Sequence, residues 1–453
     1  MAVPIGFFRP WFGVLAWTWI GLMNPHRLTW AIRDWPVAQG VAIATLLGLL
    51  VARDRRAIPL TFETVLLGLL AVYFTITTAL AWDPEVAWVA WEKLMKIYLF
   101  TFVTTMLIFR RDRVRLLMLV IVFSLGFYGI KGGIFSIVTG GQYQVLGPPY
   151  TFIAGNTNIG LALCLNLPLA LIAARLEANK WLRWTLFAVF WLSIPAILFT
   201  YSRGAFLGLI AVLTPMVWRY KGRVLVLLLI GGLALYMAEN LVPNKWVDRQ
   251  ETMLHYEEDD SAMQRIQAWG VAINIALDRP LLGAGFDFVD TISEGRWLSY
   301  ANFVGKESWN PRAAHSIYFE ILGQHGIIAF MLFCVLLFGT YWRLRRLSKR
   351  VHTAETEWIG GYARGLQLAL IPYIVAGAFL SLAYFDLFYY LIALSAILQR
   401  EYAEATAAAA RKSDAVLSDT ELEAQTSRAI LAWTADYGSR RGHLPLYNPR
   451  LRD

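Results

Sequence analysis

His315 stands one residue ahead of a long apolar run, in the string Ala313-Ala314-His315-Ser316-Ile317-Tyr318. An imidazole at the edge of a membrane segment can have its pKa set by its surroundings for proton abstraction near neutral pH. An interfacial histidine that only caps or packs is the plain alternative. Arg265 falls in the first turn of an expected helix, where a cation opposes the helix dipole unless an anion is bound there. It is equally placed to pair with the acidic run Glu257-Glu258-Asp259-Asp260 upstream. Arg203, in Thr200-Tyr201-Ser202-Arg203-Gly204-Ala205, lies in a tight turn between two apolar runs. A guanidinium there either grips pyrophosphate bidentately or snorkels into headgroups. Lys93 and Lys96 sit one to two turns into another apolar helix beside Glu92, and Lys131 precedes Gly132-Gly133. Intramembrane cations are costly and therefore functional candidates, although Glu92 and Lys96 are also spaced for a local i, i+4 pair.

Membrane helices must position these side chains. Of 453 residues, 57% are hydrophobic and 16% charged, against about a quarter charged in soluble domains. The apolar residues gather into runs long enough to cross a bilayer, at about 20 residues each. Candidate spans are 5–22, 36–52, 60–82, 87–109, 115–138, 158–174, 183–200, 203–219, 223–240, 316–341, 361–382 and 384–400. The net charge of +9 resides in short clusters between them, such as Arg53, Arg55 and Arg56, or Arg110, Arg111, Arg113 and Arg115. With both termini inside, every such cluster lands on the inner face, as the positive-inside rule requires, so nucleic acid is not the partner. The expected fold is an all-α polytopic membrane protein of about twelve spans: 1–240 with nine of them, a large outer loop at 241–315, three more spans in 316–400, and an inner tail at 401–453.

The large loop has its own pattern. Ser261 to Gln264 matches a capping box, and Met263, Ile266, Trp269 and Ile273 follow at helical spacing until Asp278-Arg279-Pro280 stops the run. Gly283-Ala284-Gly285 then makes a tight turn, and Asn310-Pro311 sets up the return to the membrane. The tail mixes Ala with charge and reads as an exposed helix followed by disorder around 438–453. Other chemistries find no support. Cys164 and Cys334, the only cysteines, fall inside apolar runs and read as packing residues. The first apolar run has no A-x-A cleavage site and reads as a retained helix. No phosphate-binding loop, zinc motif, serine-nucleophile motif or internal repeat is present. The acidic run 257–260 lacks a calcium-loop pattern, and the first outer loop carries only Asp34 as an acid, so no metal or other cofactor is expected.

Taken in order, the motifs resemble the O-antigen ligase family, within the superfamily that also holds O-antigen polymerases and bacterial protein O-oligosaccharyltransferases. His315-Ser316, nine intervening residues and Gly326 match the ligase pattern of His, then Asn, Ser or Gln, then a spaced glycine; Ala329 departs from the Gly, Thr or Tyr usual there. Arg265-x3-Trp269 followed by Pro280-x2-Gly283-x-Gly285 is similar to the family's large-loop segment. Lys131-Gly132-Gly133, Gly140-Gly141, Gly147-Pro148 and Asn156-x-Asn158 resemble a subgroup sometimes found beside exosortase-linked polysaccharide loci. The similarities cover roughly 90–335.

The resemblance implies glycosyl transfer on the periplasmic face of a bacterial inner membrane, from undecaprenyl pyrophosphate-linked polysaccharide to a sugar hydroxyl of lipid A-core. It casts His315 as base, Arg203 and Arg265 as holders of the pyrophosphate, and Lys93, Lys96, Lys131 and Ser316 as substrate-binding residues. A flippase or polysaccharide exporter is the alternative of another class, but it would spread its charges over several spans rather than gather them near one face.

Overall fold

The computed structural model describes residues 2–29, 35–218, 260–301, 311–351 and 353–441. The side chains of 260–262 and parts of the tail are outside this set, as are Asp34, the expected span 223–240, Glu257 to Asp259, and Asn310. The chain divides into two units, 1–400 and 401–453.

Caps and prolines set where the helices of the first unit begin. The first apolar run is split at Arg9, with Pro10 starting a new helix, into α1 (Ala2–Phe8) and α2 (Pro10–Met23). After α3 (Val37–Val51), Thr61 opens α4 (Phe62–Ala79) through reciprocal bonds with Thr64. Asp83 accepts from the Val86 amide and Pro84 occupies the first turn of α5 (Pro84–Leu107). α6 (Arg110–Val138) and α7 (Asn156–Leu176) follow, then α8 (Lys180–Leu198), capped by Asn179, and α9 (Arg203–Val217), capped by Ser202.

The later helices carry the site. α10 (Asp260–Asp278) ends where Asp278-Arg279-Pro280 stops it, and the short α11 (Glu294–Tyr300) is capped by Ser293. α12 (Ile317–Arg350) and α13 (Glu357–Ala376) precede α14 (Asp386–Arg441), which belongs to the first unit as far as Arg400. The second unit is helical from 401 to Arg441, with most of its described side chains exposed.

No strand occurs among the described residues. Six helical segments among the described residues are long and apolar enough to cross a membrane: Phe62–Ala79, Arg110–Val138, Asn156–Leu176, Lys180–Leu198, Ile317–Arg350 and Glu357–Phe379. α2, α3 and α9 are apolar but shorter. α5 has the length, at 24 residues, but carries Glu85, Glu92, Lys93 and Lys96. The described residues thus form an all-helical, multi-pass membrane protein, with six candidate crossings of full length among them; the expected span 223–240 lies outside the described residues.

Helices approach closely where side chains are small. A Cβ on Gly133 of α6 would lie 2.1 Å from the Leu192 carbonyl oxygen of α8, and one on Gly129 the same distance from Ser193 Oγ. Small residues along a helix face let backbones pack where no hydrophobic force distinguishes protein from lipid. Asn166, fully buried in α7, donates across to the Val122 carbonyl of α6 at 3.1 Å.

α12 is a kinked helix. At Gly326 the backbone adopts φ 78° and ψ −173°, which only glycine enters without strain. The segment 280–285 takes over the hydrogen bonds that the kink frees. Ala284 donates to the Gly323 carbonyl at 2.9 Å, Gly285 to that of Gln324 at 2.8 Å, and Ile327 to that of Pro280 at 2.8 Å. An unbroken helix would have joined Ile327 to Gly323. A Cβ at Gly326 would fall 2.5 Å from Pro280 O, and one at Gly283 2.5 Å from Gln324 C. The two glycine motifs, some forty residues apart in sequence, are therefore the two sides of one backbone junction. At about 1 kcal/mol net for each bond, it fixes α10 and the segment after it to the outset of α12.

Candidate functional site

Arg265 and Trp269 are one turn apart on α10, so they share a face. The Trp269 indole donates to the Ala314 carbonyl at 2.7 Å and its ring stacks on Phe319 of α12 at 5.0 Å. This clamp fixes the backbone just ahead of His315, which takes the unusual φ of 45°. A cleft of about 50 Å³ results, lined by Gln264, Arg265, Arg312, Ala313 and His315. His315 keeps an exposed face, yet the protein packed around it displaces enough water to lower its pKa below 6.5, and the nearby charges of Arg265 and Arg312 lower it further. A neutral imidazole beside two guanidiniums is suited to accept a proton next to a bound anion.

α10 is already helical at Asp260, so Arg265 stands in its second turn rather than its first. The second cation in the cleft is Arg312. Ser316 is the N-cap position of α12, fully buried, and its hydroxyl makes no hydrogen bond, so it lies behind His315 and does not line the cleft.

A second cavity, of about 80 Å³, shares Arg312 and Ala313 with the first. Asp287, Asp290, Glu320 and Gln324 line it, with Trp297 and Ser381. Glu320 accepts from the Ala383 amide at 3.2 Å, and the Tyr384 hydroxyl donates to the Gln324 amide oxygen. Asp287 has a carboxyl pKa raised by burial and by neighbouring Asp290, against a smaller opposing effect of Lys93. Just behind, His325 is fully buried, with Nδ1 2.7 Å from Thr77 Oγ1 and Nε2 3.1 Å from the Tyr384 hydroxyl.

Lys93 and Lys96 do come together, but elsewhere. They line a cavity of about 510 Å³ with Trp17, Asn24, Phe152 and Asp386. Lys96 pairs with Glu92 at 2.6 Å, realising the local alternative. Arg203 is the first residue of α9 and lines none of the three cavities; a Cβ on its neighbour Gly204 would lie 3.7 Å from that of Phe379, whose ring is 6.2 Å from the ring of Trp269. Lys131 is exposed on α6 and lines none of them either. Among the described residues, no three His, Cys, Asp or Glu side chains come close enough to hold a metal ion.

Sequence reasoning missed Arg312, Asp287, Asp290 and Glu320. Arg312 lies three residues before His315, and Glu320 one turn into the helix that follows; that proximity was the available signal.

No curated protein matches the chain. Residues 1–182 match a family of unknown function, DUF5935. Residues 188–334 match the O-antigen ligase family, a segment that contains the cleft's arginine from α10, His315 and the Gly326 kink. That match, over about a third of the chain, supports placing the protein with the O-antigen ligase superfamily.

Proposed function

We propose that the protein is an O-antigen ligase, transferring polysaccharide from undecaprenyl pyrophosphate to a sugar hydroxyl of lipid A-core at the periplasmic face of a bacterial inner membrane. The observation that carries this reading is the cleft in which Arg265, Arg312 and His315 meet. A pyrophosphate is a leaving group whose departing charge two guanidiniums can stabilise without further activation. In this scheme His315 takes the proton of the attacking acceptor hydroxyl. The hydroxyl oxygen forms the new glycosidic bond as the anomeric carbon releases pyrophosphate to the lipid, in a single inverting displacement. Lys93 and Lys96 meet a lipid-linked substrate in their own cavity, and Arg203, at the start of α9, serves as a further contact for the donor pyrophosphate.

The reading also places both termini on the cytoplasmic side of about twelve spans, with 241–315 outside, because the basic clusters then face inward. Purified protein supplied with lipid-linked polymer and lipid A-core should produce polymer-bearing lipid A-core. Product appearing instead on a second lipid-linked glycan would identify a polymerase, on a protein an O-oligosaccharyltransferase, and lipid movement without a new bond a flippase.

A further inference from the structure

The charges around Arg312 are sorted. On one side the cleft is cationic, with Arg265 and Arg312 beside His315. On the other, the 80 Å³ cavity presents three carboxyl side chains, Asp287, Asp290 and Glu320. A diphosphate is attracted to the first and finds no cation but Arg312 in the second. A metal ion is disfavoured by geometry, since these groups do not close on a common point. A ligand rich in hydroxyl groups fits, because each hydroxyl both donates to carboxylates and accepts from N–H or O–H groups.

Two unmet groups point the same way. Trp297 is 1% exposed, lines this cavity, and its indole N–H has no partner. Ser381 lines it as well, and its buried hydroxyl has none. A buried donor without an acceptor costs about 1–3 kcal/mol, so a native chain retains one where a ligand or water satisfies it. Gln324, with its amide oxygen taken by Tyr384, has its NH2 end left to donate. The room suffices for part of a hexose: a water-sized group needs about 10–15 Å³ in this measure, so 80 Å³ admits a ring edge and its substituents but not a chain of sugars.

We infer that this cavity is the acceptor-sugar subsite, which seats a neutral or amino-bearing sugar through Trp297, Asp287, Glu320 and Gln324 and offers one of its hydroxyls to His315 across the shared Arg312 wall. The inference rests on the ligase reading above and names the residues that would select the acceptor. It also gives Arg312 a double position, against the anion on one side and the carboxylates on the other.

Kinetics with both substrates test it. Trp297→Phe keeps the ring and its packing while removing the N–H. Asp287→Asn keeps a short polar side chain that tolerates the left-handed conformation at this position, φ 48°. Each variant should raise the KM for lipid A-core by about tenfold, the worth of one hydrogen bond, with the KM for the lipid-linked donor within about twofold of wild type. Unchanged acceptor KM in the variants that fold, or an equal rise for the donor, overturns the assignment. If the wild-type protein transfers no glycan at all, the ligase reading fails first. Calorimetric titration with free core oligosaccharide then decides the cavity separately: binding that weakens in Trp297→Phe upholds a sugar site, and no binding to wild type removes it.

Discussion

The His315 cleft and the lysine-lined cavity make the same ingredients into different devices. Each gathers two cations, Arg265 and Arg312 in the cleft, Lys93 and Lys96 in the cavity. The cleft is about 50 Å³ and its residues hang on backbone that is tied down by the Trp269 clamp and the Gly326 junction. The other cavity is about tenfold larger, at 510 Å³, with Lys96 already engaged by Glu92 and aromatic walls at Trp17 and Phe152. Chemistry requires reacting groups held to fractions of an ångström, and only the first has the means. In the proposed reading the second binds an amphiphile, with its headgroup at the lysines and its chains along the apolar wall. The two also fall in differently matched stretches: the lysines within 1–182, His315 and Arg265 within 188–334.

The sharpest way to break this contrast is to remove one group from each side. His315→Ala should lower kcat by about 10²–10⁴-fold, the usual worth of a general base. Lys93→Ala and Lys96→Ala should instead raise the KM for a lipid substrate by less than about tenfold, because exposed charges are screened. Full turnover in His315→Ala, measured as polymer transferred to lipid A-core, would end its assignment as base.

Gly326→Ala probes the scaffold instead of the chemistry. A side chain there must adopt positive φ, at about 1–2 kcal/mol, and displace the Pro280 carbonyl that lies 2.5 Å from its Cβ. Loss of several degrees in Tm with a fall in activity is expected; a neutral effect in thermal unfolding would mean that the junction is not needed to hold His315.

The smallest predicted effect is in the pH profile. His315 acts as a base when neutral, and its pKa lies below 6.5 through desolvation first and the charges of Arg265 and Arg312 second. The sign follows: kcat/KM should hold at pH 6.5 and fall only as the pH drops through the lowered value. Arg265→Gln removes one repelling cation, so the acid limb should move up toward 6.5, alongside any loss of donor binding. An acid limb in the same place as in wild type would show that another group controls it.

Much of this was legible in the residues. Apolar runs bounded by caps and prolines gave the helices, and Asp278-Arg279-Pro280 ended α10 where the sequence says it should. The spacing of His315, Gly326 and Gly283-x-Gly285 singled out segments that the structure packs against each other. It could not reveal that the glycines meet, because glycine is spaced for a conformation or an approach whose partner lies elsewhere in the chain. Nor could it separate Lys131 from Lys93 and Lys96: all three lysines read as intramembrane cations, and which of them faces a cavity depends on the neighbour each helix finds.

The sequence by itself determined that this chain is built of membrane helices, since the bilayer demands apolar runs and internally satisfied backbone. It also determined that a histidine would stand at the mouth of one. Tertiary packing alone decided the company of that histidine. Arg312 joined the site, Arg203 lined none of its walls, and three carboxyl groups gathered next door. Such pairings are set by which surfaces fit once helices are fixed, and single positions along the chain carry no record of them.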